Sequence, residues 1–180
     1  NNYILDIKSK GVCEIANDNA QGQIIVSGNV EPIEELKNNL KQHKKKCIPL
    51  PVSAPFHCSL MSPAASKMKE KINIVNFKKP DFEIIANVTA FTVNNPEKIK
   101  ELLVKQIYSK VRWRESIIFM GENKINDFIE IGPGKVLTGL VKRILPASNS
   151  FSVNSIKDIK NANCFSINSI ADIKNLVNES

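Results

Sequence analysis

Two histidines and four cysteines are the residues of this chain that could most readily do chemistry: His43, His57, Cys13, Cys47, Cys58 and Cys164. No two cysteines form a C-x-x-C pair, so the usual zinc cluster is lacking, no metal site is expected, and the thiols read as reduced. His43 sits in KQHKKK (41–46) and reads as a surface residue. His57 stands in PVSAPFHCSLMSPAA (51–65), behind Pro49, Pro51 and Pro55, whose restricted backbone predicts an extended lead-in. Two readings stand for it. One is a buried core histidine with both ring nitrogens satisfied. The other is a base held toward a group that must lose a proton, since imidazole titrates near neutrality. No G-x-S-x-G stretch occurs among the 180 residues.

Length and composition bound what could position such a residue. At 180 residues and 42% hydrophobic, the chain suits one globular domain, with or without a small satellite. No apolar run reaches the ~18 residues of a membrane span. NNYILDIKSKG lacks the order of a secretory signal, and a cytoplasmic location is expected. The net charge of +7 is densest at Lys41–Lys46, the end of a helical stretch, where cations are favourable without any partner. No aromatic residues interleave these lysines, so nucleic acid is not expected as a partner.

Along the chain, 2–10 reads as a helix end stopped by Gly11. VCEIAND (12–18) and QIIVSG (23–28) read as a strand pair joined by NAQG. Glu31 to about Lys45 reads as a helix, with Ile33, Leu36 and Leu40 at spacings of three and four, and CIPLPVS (47–53) as a third extended run. Together these make most of a ferredoxin-like β-α-β unit without its opening strand. Next come a helix over 63–75, a strand over 82–90, and a helix over 96–108 with Ile99, Leu102, Leu103 and Ile107 on its apolar face. Then come a helical piece over 116–122, a strand over 127–132 and a helix over 133–145. At the last junction Pro133 suits a first helical position, and Gly132 and Gly134 permit tight backbone. This alternation predicts an α/β core with parallel strands. The tail repeats itself: FSVNSIKDIKN (151–161) recurs as FSINSIADIKN (165–175), each copy reading as a short strand with a helix behind it.

PLPVSAPFHCSLMSPAA, IIANVTA, LVKQIYSKVRW and IEIGPGKVLTGLVKRI, with the hairpin segment NDNAQGQIIVSG, resemble the bacterial malonyl-CoA:acyl carrier protein transacylases. Order and separations both fit, over about residues 12–156. The resemblance implies an α/β fold: the C-terminal half of an α/β-hydrolase-like core plus most of a ferredoxin-like small subdomain. The expected division is 1–52 for the small subdomain, 53–150 for the core and 151–180 for the tail.

The resemblance also implies a function. His57 would be the general base that lets a serine take the malonyl group from malonyl-CoA and pass it to the phosphopantetheine thiol of acyl carrier protein, in fatty acid biosynthesis. Gln106 would hold the other ring nitrogen through its main-chain carbonyl. Phe56 would face the acyl pocket, with core packing an equal reading. Asn87 would help order the site or make a structural hydrogen bond. No cofactor is implied beyond the two substrates. The family's proline near the end of the QIY segment is replaced by Lys110. The missing serine elbow, the missing first strand and the Asn1 start suggest a fragment of a transacylase or one piece of a split gene. A separate N-terminal half would then be a partner, and the isolated chain would be inactive and poorly soluble. Against this stands a remnant that binds carrier protein without catalysis.

Overall fold

A computed structural model describes residues 4, 7 and 10–155 of the chain. It divides into two compact units, one up to Asn123 and one from Lys124.

The first unit opens with an antiparallel hairpin, β1 (Cys13–Ala20) and β2 (Gln23–Gly28). Cys13, Ala16, Asp18 and Ala20 of β1 are buried. Helix α1 (Val30–Gln42) packs Leu36 against Cys13 and Ile7, with Ile33, Leu40 and Val26 closing the cluster. This is the apolar stripe seen in the sequence. The helix ends before Lys45: Lys44 takes a left-handed φ of 53° and the Lys45 N–H bonds back to the Leu40 carbonyl at 2.8 Å. Gly28 allows a close approach of two chain segments, since a Cβ there would stand 2.0 Å from the Val12 carbonyl oxygen. The helix expected over 2–10 falls largely outside the described residues.

The run 47–53 forms no strand. Pro49 and Pro51 have no N–H to give to a ladder. Instead the Val52 N–H bonds to the Leu50 carbonyl across Pro51, and the Phe56 N–H to the Ala54 carbonyl across Pro55, both at 2.9 Å. Proline's fixed φ suits the centre of such a three-residue turn, so the lead-in bends where a straight run was expected.

A short 3-10 turn (Ser59–Met61) runs into α2 (Ser62–Asn73). The strand expected over 82–90 shortens to β3 (Ile84–Ala86), which turns at 87–90 and returns as β4 (Phe91–Val93). Ala90, at φ 59°, makes that turn possible, and the Phe91 ring meets Phe119 edge to face at 5.0 Å. Helix α3 (Pro96–Gln106) starts at Asn95, whose side chain accepts the Lys98 N–H, with Pro96 in the first turn. Ile99 and Leu102 are its buried face; Leu103 and Ile107 are half-buried.

The segment after α3 is bonded to several others. Val111 donates to the Ala16 carbonyl at 2.8 Å and accepts from the Asp18 N–H at 3.0 Å, a single bridge beside β1. Arg112 caps helix α4 (Trp113–Glu122), and its guanidinium reaches the carbonyls of Val88 and Thr89 and the carboxylate of Glu115. Arg114 grips Asp18 with two parallel bonds, at 2.9 and 2.7 Å. Arg112 first, and then Lys110, hold the Glu115 carboxyl down at about 2.

The second unit is a β-α-β run: β5 (Asp127–Ile131), α5 (Val136–Ile144) and β6 (Asn149–Val153), the strands parallel and in continuous register. The 132–135 turn carries the glycines where left-handed backbone requires them, Gly132 at φ 139° and Gly134 at φ 99°. Pro133 is not helical; the helix begins at Val136, because the Glu130 carboxylate takes the N–H groups of Leu137 and Thr138 and so fixes its first turn. β6 contains the start of the first tail repeat, which is described as far as Ser155; 156–161 of that copy and all of the second lie outside the described residues. Ile129, Ile131, Val136 and Leu137 are exposed on this unit, Ile131 at 75%.

Two measurements check this packing. Gly28→Ala forces apart two backbone segments and lowers unfolding free energy by about 2 kcal/mol in denaturant titration, with little change in slope. Glu115 has a folded pKa of about 2 against an ordinary 4.5, so it stabilises the fold above pH 4.5 and loses that contribution as pH falls toward 2. In Glu115→Gln, Tm therefore falls less steeply over that window than in the parent.

Candidate active site

His57 takes a left-handed φ of 59°, a conformation that non-glycine residues hold only when surroundings enforce it. The enforcing groups come from the end of α3. A helix leaves its last carbonyls without partners inside the helix. Here the carbonyl of Gln106 lies 2.9 Å from His57 Nδ1, and the carbonyl of Ile107 accepts the His57 N–H at 3.3 Å. Two orphan acceptors thus hold one residue by ring and main chain.

That contact also sets the tautomer. A carbonyl oxygen only accepts, so Nδ1 must carry the proton. In the neutral ring, the lone pair then belongs to Nε2. The ring is half-buried, so it is neither sealed in a core nor free in solvent.

The flanking residues are fixed as well. Cys58 is fully buried, and its thiol donates to the Pro55 carbonyl at 3.1 Å. Ser59 is bonded to Glu14 of β1: its N–H reaches Oε2 at 3.0 Å and its hydroxyl reaches Oε1 at 2.7 Å. Sequence reasoning misses Glu14, because 45 residues separate the partners and no local pattern marks the contact.

The other candidates sit differently. Phe56 precedes His57 and is 46% exposed. Asn87 is half-buried in the β3–β4 turn, where its carbonyl accepts the Arg112 N–H at 3.3 Å. Arg112, also missed in the sequence, is therefore what ties that turn to the segment beyond Gln106. An open groove of about 400 Å³ between α2 and α3 is lined by Ser62, Lys69, Glu101, Lys105 and Tyr108 among others, but by neither His57 nor Phe56. Among the described residues no group of three or more His, Cys, Asp or Glu converges as a metal site would require. Lys142 and Arg143 lie exposed in the last turn of α5, where cations suit the helix end.

No family model matches the chain. Individual proteins do. It is 41% identical over 150 residues to the malonyl CoA-acyl carrier protein transacylase of Bacillus subtilis, covering 83% of this chain and 47% of that protein. With the Escherichia coli K12 enzyme of the same name it is 37% identical over 139 residues, 77% of this chain and 45% of that one. The crystal structure of acyl-carrier-protein-S-malonyltransferase from Bartonella henselae superposes with a TM-score of 0.86 at 39% identity, covering 94% of this chain and 53% of that one. A malonyl-transacylase solved with its type II polyketide acyl-carrier protein gives 0.84 at 34% identity, covering 89% and 52%. The chain spans about half the length of the curated relatives it matches. By sequence and by fold, the chain is similar to about half of a malonyl-CoA:acyl carrier protein transacylase.

Proposed function

We propose that this chain supplies the general base of a malonyl transfer from malonyl-CoA to the thiol of acyl carrier protein, with His57 as that base. The observation that carries the reading is the His57 ring: Nδ1 faces the Gln106 carbonyl at 2.9 Å, which leaves Nε2 as the basic nitrogen. Gln106 acts through its main chain, whatever its side chain does.

The chemistry runs in two halves. Nε2 takes the proton of a serine hydroxyl as the oxygen attacks the malonyl thioester carbonyl. The CoA sulfur leaves and takes that proton from the ring. In the second half Nε2 takes the proton of the carrier's phosphopantetheine thiol, whose sulfur attacks the acyl-serine ester. The serine oxygen then recovers the proton, and the enzyme is regenerated. No cofactor is needed, since the phosphopantetheine belongs to the carrier. The negative end of α3 lies against the ring and favours the imidazolium formed in each half.

The nucleophilic serine is not in a G-x-S-x-G context anywhere in these 180 residues, so in this reading it comes from sequence outside them. Phe56 borders the acyl group, and Asn87 orders the site through the 87–90 turn. The β1–β2 hairpin with α1 supports a ferredoxin-like small subdomain over 1–52, and the parallel β5–α5–β6 unit supports a hydrolase-like core over 53–150. Acyl carrier protein as partner is supported by the relative solved with its carrier. A cytoplasmic location belongs to the same reading. Among the described residues no helix is long and apolar enough to cross a membrane.

The test is malonyl transfer by the full-length natural protein carrying His57→Ala, with malonyl-CoA and carrier protein bearing phosphopantetheine. Loss of a general base lowers the transfer rate by about 10²–10⁴-fold. A rate within twofold of the parent, or no transfer by the parent itself, overturns the reading; the second result leaves a carrier-binding remnant.

A further inference from the structure

The turn after His57 has an unusual cap. Ser59–Met61 and α2 make one continuous helical run, and its N-cap residue is Cys58. An N-cap normally offers a side-chain oxygen to the first free N–H groups. Cys58 makes no such bond, because its thiol is turned to the Pro55 carbonyl. The acceptor comes from another element: Glu14, on β1, takes both the N–H and the hydroxyl of Ser59. Both bonds are charge-assisted and the carboxylate lies at the positive end of the run, each of which strengthens the contact.

We infer that Glu14 is a positioning residue for His57, clamping the chain two residues after it so that the strained backbone at 57 presents the ring to the reaction. The inference rests on the proposed role of His57. Without the clamp, the Gln106 and Ile107 carbonyls and the buried Cys58 are left to oppose relaxation of the left-handed φ. A relaxed backbone would swing the ring away from Gln106 and free Nδ1 to exchange its proton with Nε2. Misplacement of a reacting group by about 1 Å costs about a hundredfold in rate.

The experiment uses the full-length natural protein with Glu14→Ala, Glu14→Gln and Ser59→Ala. It reads transfer kinetics and, independently, the imidazole nitrogen resonances of His57 in ¹⁵N-labelled protein. In the parent, Nδ1 carries the proton. Glu14→Ala is expected to lower kcat by about tenfold to a hundredfold with KM for malonyl-CoA within twofold, and to shift the His57 nitrogens toward a mixture of tautomers. Glu14→Gln keeps the length and one carbonyl acceptor, and restores most of kcat and the parent spectrum. Ser59→Ala removes only the hydroxyl bond and gives a smaller change of the same kind; it carries the test if Glu14→Ala does not fold. Unchanged His57 nitrogens in Glu14→Ala, or in Ser59→Ala where that variant stands in, overturn the inference, whatever happens to the rate. The spectrum does not depend on turnover, so a failure of the His57 reading in the transfer assay remains distinct from a failure of the clamp.

Discussion

Two carbonyl groups at the end of one helix govern the site. The backbone of His57 sits in a region of conformational space that costs a β-carbon-bearing residue about 1–3 kcal/mol, and it stays there because neighbours over-determine it. Gln106 and Ile107 offer acceptors that α3 cannot satisfy internally, and residue 57 carries the two donors that meet them. Each side solves the other's problem. The helix end gains partners for its last carbonyls, and the histidine gains one backbone state and one tautomer.

The carbonyls are themselves held by the segment that runs on to Arg114. From Gln106 onward the chain touches, in turn, the His57 segment, β1 through Val111, the 87–90 turn through Arg112, and β1 again through the Arg114–Asp18 fork. Asp18 is buried, so its carboxylate requires that fork. Glu14 lies on the same strand and reaches the residue two beyond His57. Strand β1 therefore meets the site from both sides, once through the segment that holds the ring and once through the turn that leaves it.

Local features are legible in the sequence, and long-range ones are not. The hairpin at 13–28, the stripe of Ile33, Leu36 and Leu40, the Asn95–Pro96 helix start and the glycines of the 132–135 turn all depend on neighbouring residues. The β3–β4 hairpin reads as one strand, because IIANVTA is rich in strand-forming residues and nothing in it marks Ala90 as the residue at positive φ. Pro133 reads as a first helical residue, yet the helix starts later, because Glu130, upstream of the turn, fixes the first turn at Leu137 and Thr138. In the site, His57 stands out by its type and its prolines, and Gln106 by resemblance. Glu14 and Arg112 act across 45 and 23–25 residues, and their effect has no local signature.

The prolines before His57 gain a different meaning from this arrangement. A stiff extended arm would fix a side chain by its own rigidity, and that is what three prolines in seven residues suggest. The observed lead-in is bent at Pro51 and at Pro55, and its side chains from 45 to 53 are exposed. It packs on little that could hold it to a fraction of an ångström. The ring is fixed from the other direction, by the helix end at 106–107 and by the cap at Ser59. What the prolines contribute is a restriction of the unfolded chain and a bend that brings the Pro55 carbonyl to the Cys58 thiol. With that thiol turned to Pro55, Cys58 makes no side-chain cap bond, and Glu14 takes the N–H and hydroxyl of Ser59 instead.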